Sequence, residues 1–102
     1  MKLNLFERFM LLQILPKEGN FVTLRITRDL RTALAVTEKE FKDFEITQDG
    51  EHTKWNTKGN EEREIMIGEK ATDIIVESLK QLDKDKKLTE QYFTVYEKFV
   101  KE

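Results

Sequence analysis

Three arginines, Arg25, Arg28 and Arg31, follow one another at intervals of three, a spacing that on a helix confines them to roughly a third of the circumference. Guanidinium forks match carboxylates and phosphates, so such a face could hold an acidic protein partner or a nucleic-acid backbone. The competing account is a solvated helix face paired with nearby acids, Asp29 among them. Trp55 is the sole tryptophan and stands between Lys54 and Asn56. As an exposed side chain it would make a binding anchor, and turned inward it would cover the end of a core. These four residues are the candidate partner-binding set.

Catalytic chemistry has far fewer candidates. The chain has no cysteine, one serine (Ser78) and one histidine (His52), so a thiolate zinc site or a histidine pair cannot be assembled. His52, beside Glu51 and close to Asp49, reads as a turn residue open to solvent. Twenty acidic residues could supply a glycosidase-like carboxylate pair in many combinations, which makes any one combination uninformative. Asp83-Lys84-Asp85 lacks the alternating oxygen ligands, glycine and distal glutamate of a calcium loop. The four glycines are scattered singly, so no phosphate-cradling loop is present. We expect no catalytic residues, no metal site and no cofactor.

The elements that must carry the arginines and Trp55 follow from periodicity. Residues 3–15 read as a helix apolar almost all round, interrupted by Asn4, Glu7, Arg8 and Gln13 and stopped by Pro16. Asn20 is a suitable N-cap for a second helix over 21–35, with Val22, Ile26, Leu30, Ala33 and Leu34 as its buried stripe and the arginines opposite. The β-branched run Val22, Thr23, Ile26, Thr27 leaves a strand over 21–27 as the alternative. Thr37 and Glu40 form a capping box that opens a short helix to Asp43, anchored by Phe41 and Phe44.

Period two takes over from there. Strands over 44–48 and 52–57 flank Asp49-Gly50, with Ile46 and Trp55 on a buried face, and 63–67 reads as a third strand. A helix over 69–83 has the stripe Ala71, Ile74, Ile75, Leu79 and Leu82. After the solvated stretch 83–87, Thr89 is placed to cap a final helix, with Leu88 and Phe93 as a staple and Phe93, Tyr96, Phe99 and Val100 along one face. The expected fold is one α+β domain over 1–102, in the order ααα-βββ-αα, with helices packed around a small antiparallel sheet or hairpin.

Composition limits the partners. The 102 residues are 38% hydrophobic and 37% charged, with net charge −2, and the charge is uneven. Residues 1–35 sum to +3 and residues 36–102 to −5. A whole-surface affinity for nucleic acid is therefore disfavoured, while a local basic patch stays open. A helix start followed by a hairpin suggests a winged-helix reader, but the segment before the hairpin, Glu38–Asp43, carries three acids against two lysines and would repel phosphates. The apolar N-terminal stretch is too short to span a bilayer and contains Glu7 and Arg8, so it reads as a core helix, and we expect a cytoplasmic protein with no membrane contact.

Several phrases carry a resemblance: Leu15-Pro16-Lys17-Glu18-Gly19-Asn20-Phe21-Val22-Thr23-Leu24, Gly68-Glu69-Lys70-Ala71-Thr72, and Leu88-Thr89-Glu90-Gln91 leading into Tyr96-Glu97-Lys98-Phe99. Over most of its length the chain resembles small uncharacterised proteins encoded by tailed phages and prophages. That resemblance implies an accessory or assembly role in a host cytoplasm and implies no reaction. The leading expectation is a non-enzymatic protein-interaction module, with self-association as a homodimer suggested by the nearly all-apolar first helix. The alternative is a nucleic-acid-binding or regulatory protein that uses the arginine face of the second helix.

Overall fold

A computed structural model describes residues 1–100. The order of elements is β1 (Lys2–Leu3), α1 (Leu5–Ile14), α2 (Phe21–Leu34), α3 (Glu38–Asp43), β2 (Thr47–Asp49), β3 (His52–Lys54), β4 (Arg63–Glu64), α4 (Glu69–Lys84) and α5 (Phe93–Phe99). This is an α+β fold with the expected succession, preceded by one further strand. The strands form two separate antiparallel ladders, β1 with β4 and β2 with β3.

Helix α1 starts two residues later than its periodicity predicts, and the reason is a cap. The Asn4 side chain accepts from the Glu7 amide (2.8 Å), and the Glu7 carboxylate accepts from the Asn4 amide (3.0 Å). This reciprocal box frees Lys2 and Leu3 to pair with Glu64 and Arg63. Leu3 is thereby fully buried at the base of the core. Around it gather Leu11 and Leu15, Leu30 and Leu34 of α2, Ala71, Ile75 and Leu79 of α4, and Val95 of α5. Helix α1 is covered within a single chain: no α1 residue is among the exposed large apolar side chains. The all-round apolar character of α1 accords with its central position in the core.

Helix α2 forms over the expected span, and the strand alternative is not what the chain adopts. Its buried line keeps Leu30 and Leu34 of the expected stripe, with Ile26 packed partly buried against the core, and departs from it at Thr27 and Val22. Thr27, Leu30 and Leu34 are buried, whereas Val22 is 50% exposed. Threonine fits there because the Thr27 hydroxyl donates to the Thr23 carbonyl (2.8 Å), which satisfies it internally. In α3, Phe44 is buried but Phe41 is exposed. The hairpin is shorter than expected: Asp49 pairs with His52, and the loop is Gly50-Glu51. Only Gly50 has positive φ (63°), the pattern of a II′ turn. Every residue of both hairpin strands is exposed, so this ladder has no buried face. The third strand contracts to Arg63–Glu64.

Helix α4 buries Ala71, Ile75 and Leu79 as its stripe predicts. The final helix departs at its start, while Tyr96, Phe99 and Val100 of its expected face pack partly buried against the core. A 3₁₀ turn, Glu90–Tyr92, precedes it, and Thr89 makes no side-chain cap bond. Phe93 is 63% exposed, and the residue that α5 buries is Val95. No helix among the described residues is long and apolar enough to cross a membrane.

Candidate functional site

Helix α2 sits against α1 and α4 through Thr27, Leu30 and Leu34, which directs the opposite side outward. On that outer side Phe21, Leu24, Arg25 and Arg28 surround a shallow depression of about 280 Å³. Phe21 is 75% exposed, and Val22 and Leu24 beside it are also exposed. Among the described residues, neither Arg25 nor Arg28 forms an ion pair with a carboxylate, Asp29 included. Arg31 lies round the helix toward the α1–α2 connection, where its guanidinium donates to the Pro16 carbonyl (3.3 Å). The helix opens with no acidic residue in its first turn, so the positive end of its dipole adds to the arginine field. The surface is a cationic rim beside an apolar ridge.

Trp55 does not belong to that surface. It follows β3, half-buried, with its ring tilted at 54° to Phe9 of α1 and centroids 5.6 Å apart. Its position is set by the chain that follows. A Cβ on Gly59 would stand 2.5 Å from Trp55 Cδ1, so only glycine leaves the indole room. Asn56 fastens the same stretch: its amide donates to the Phe44 carbonyl (2.8 Å) and its side chain to the Asp43 carbonyl (3.0 Å). His52 also turns toward α1. It lines a cleft of about 550 Å³ with Trp55, Glu51, Phe9, Gln13 and Gln91. The four candidate residues therefore divide among an outer face (Arg25, Arg28), a loop tether (Arg31) and a separate cleft (Trp55).

The two charged residues inside the apolar α1 sequence turn out to be structural. Glu7 is 2% and Arg8 3% exposed. Arg8 Nε and Nη2 donate to the Leu34 and Ala35 carbonyls (3.1 and 2.6 Å), which stops α2, and Nη1 and Nη2 grip both Glu40 oxygens (2.8 and 3.1 Å). These hydrogen bonds from Arg8 outweigh burial and lower the Glu40 carboxyl to about 2. Arg63 approaches the same carboxylate at 3.7 Å and lies 4.5 Å over the Phe44 ring. Glu7 receives Lys98 Nζ from α5 at 2.8 Å, and Lys98 also donates to the Lys2 carbonyl (2.9 Å) and to Glu62. Burial alone would lower the Lys98 ammonium, but the bonds to Glu62 and Glu7 raise it on balance. Both carboxylates are thus engaged in holding elements together.

Phe21 and Leu24 are the part of the outer face not singled out from the sequence: the expected stripe of this helix omits both, and only the arginines were placed opposite it. The signal was available: Phe21 and Leu24 lie off the line that joins Leu30 and Leu34. Among the described residues no group of three or more His, Asp or Glu side chains is disposed to hold a metal ion. No protein-family model, curated protein or solved structure matches the chain.

Proposed function

We propose that the protein is a non-enzymatic interaction module, of the accessory kind encoded by tailed phages, that docks an acidic amphipathic protein segment on the outer face of α2. The observation that carries this reading is Phe21 and Leu24 exposed beside Arg25 and Arg28, with neither arginine in an ion pair among the described residues. Exposed aromatic and arginine side chains are the residue types that dominate binding energy at protein interfaces. A partner with apolar side chains for Phe21 and Leu24 and carboxylates for the two arginines satisfies both halves of the surface. A second copy is one source of such a segment, since residues 36–102 carry the acidic excess.

The nucleic-acid reading is supported by the same unpaired guanidiniums, which suit phosphates equally well. It is weakened by the apolar ridge and by the loss of Arg31 to Pro16.

The test compares the wild-type protein with the double variant Arg25→Glu, Arg28→Glu, each used to capture partners from host lysate with and without nuclease. The expected result is an acidic protein retained after nuclease and lost with the variant. Light scattering on the same pair reads self-association. Material that disappears after nuclease, with steep salt dependence, would replace this reading with the nucleic-acid one.

A further inference from the structure

We propose that the cleft between α1 and the β2–β3 hairpin binds a planar, phosphate-free heterocycle of the nucleobase or nucleoside class. This site is separate from the α2 face and independent of its reading.

The cleft gathers side chains from three distant parts of the chain. Phe9 and Gln13 come from α1, His52 and Trp55 from the hairpin and its exit, and Gln91 from the turn before α5. Its floor is aromatic. Phe9 and Trp55 meet at 54° with centroids 5.6 Å apart, a wedge that presents π surface while neither ring covers the other face to face. The indole is held in this orientation from behind by Gly59, so the wedge is pre-set.

The rim is polar. Gln13, His52, Glu51 and Gln91 make no side-chain hydrogen bond among the described residues. Each glutamine offers one amide donor edge and one carbonyl acceptor side by side, the pairing that base edges complement. A flat ligand stacked on Trp55 would bring its edge toward these amides, and stacking is tolerant of which base is taken.

Charge narrows the class. Among the described residues no lysine or arginine lines the cleft, and Glu51 does. A phosphate would find the Glu51 carboxylate and neither lysine nor arginine beside it, whereas a neutral base or nucleoside brings no charge against that carboxylate. A sugar or peptide side chain without a hydrogen-bonding aromatic edge would use only half of the lining. The volume of about 550 Å³ falls in the range of small-ligand sites.

Trp55 is the only tryptophan, so its fluorescence reports on this cleft alone. The full chain is titrated with adenosine, guanosine, cytidine and uridine, excited at the red edge of indole absorption, with calorimetry on the same solutions. The expected result is saturable quenching by at least one nucleoside. Its 5′-monophosphate should bind more weakly, and Glu51→Gln should narrow that gap. Gln13→Ala or Gln91→Ala, both surface changes, should weaken nucleoside binding about tenfold while the fold is retained. Absent or non-saturating quenching up to about 10 mM nucleoside overturns the proposal. So does binding unchanged in both glutamine variants, a monophosphate that binds as well as its nucleoside, or equal binding of N-acetyl-tryptophanamide.

Discussion

Arg8 shows how far one side chain can reach in a small protein. It lies on α1 and yet closes the C-terminal end of α2 and holds the N-terminal carboxylate of α3. Arg8→Ala would leave two helix-end carbonyls without their donor and Glu40 with only the Thr37 amide and hydroxyl and Arg63 nearby. A cost of about 3 kcal/mol in urea unfolding is expected. Arg8→Lys should recover only part, because an ammonium cannot span both Glu40 oxygens and both carbonyls. The same contact sets an acid limit. Glu40 has its carboxyl lowered from 4.5 to about 2, so it contributes stability above its unfolded value and loses it as pH falls from about 4.5 towards 2. The shift as a whole would correspond to about 3 kcal/mol, and solvent at the rim of the site reduces the expected contribution to about 1–2 kcal/mol. Chemical denaturation at a series of pH values measures it, and Glu40→Gln should flatten the fall. None of this is written in periodicity. A glutamate and an arginine inside an apolar helix announce burial or a surface break equally, and only the tertiary partners, which lie 32 and 91 residues away, decide between them.

At the scale of elements, the helices were readable, and so was their rotation except at single positions. Asn20, Thr37 and the α4 stripe located three helices correctly, because caps and 3.6-residue spacing are local signals. In α2 the inward line runs through Ile26, Leu30 and Leu34 as the spacing predicts. Thr27 joins it because its hydroxyl is satisfied by its own helix, and Val22 in the first turn stays exposed. The variant Val22→Ala separates the expected from the observed position of that residue, with Leu30→Ala, buried in both, as the reference. The first should shift stability by less than about 0.5 kcal/mol and the second should cost about 2–5 kcal/mol. In the last helix the expected face holds at Tyr96, Phe99 and Val100 and fails at Phe93. Phe93 was the larger residue and drew the assignment, while Val95 reaches the core. The cleft was invisible from sequence for a different reason: His52, Gln13 and Gln91 become neighbours only when the hairpin folds over α1.

The molecule as a whole has an uneven build. One apolar core joins α1, α2, α4 and α5, while the β2–β3 hairpin has no buried residue in either strand. Amide hydrogen exchange should therefore be slowest in α1 and α4 and fastest in residues 47–54, which have few apolar contacts to protect their ladder. Uniform protection across the chain would contradict that division. Gly59→Ala tests the link between the two parts. Displacing the indole should shift Trp55 emission to longer wavelength and cost about 1–3 kcal/mol.

The bond between Glu7 and Lys98 carries a consequence for synthesis. Glu7 leaves the ribosome more than ninety residues ahead of its partner, and Leu3 waits some sixty residues for the strand that covers it. During that interval α1, the most apolar element of the chain, has none of its α4 or α5 packing. A nascent chain of this design must keep its central helix soluble until the last element arrives. The Glu7 carboxylate and the Arg8 guanidinium at the middle of that helix are well placed to keep it wetted meanwhile.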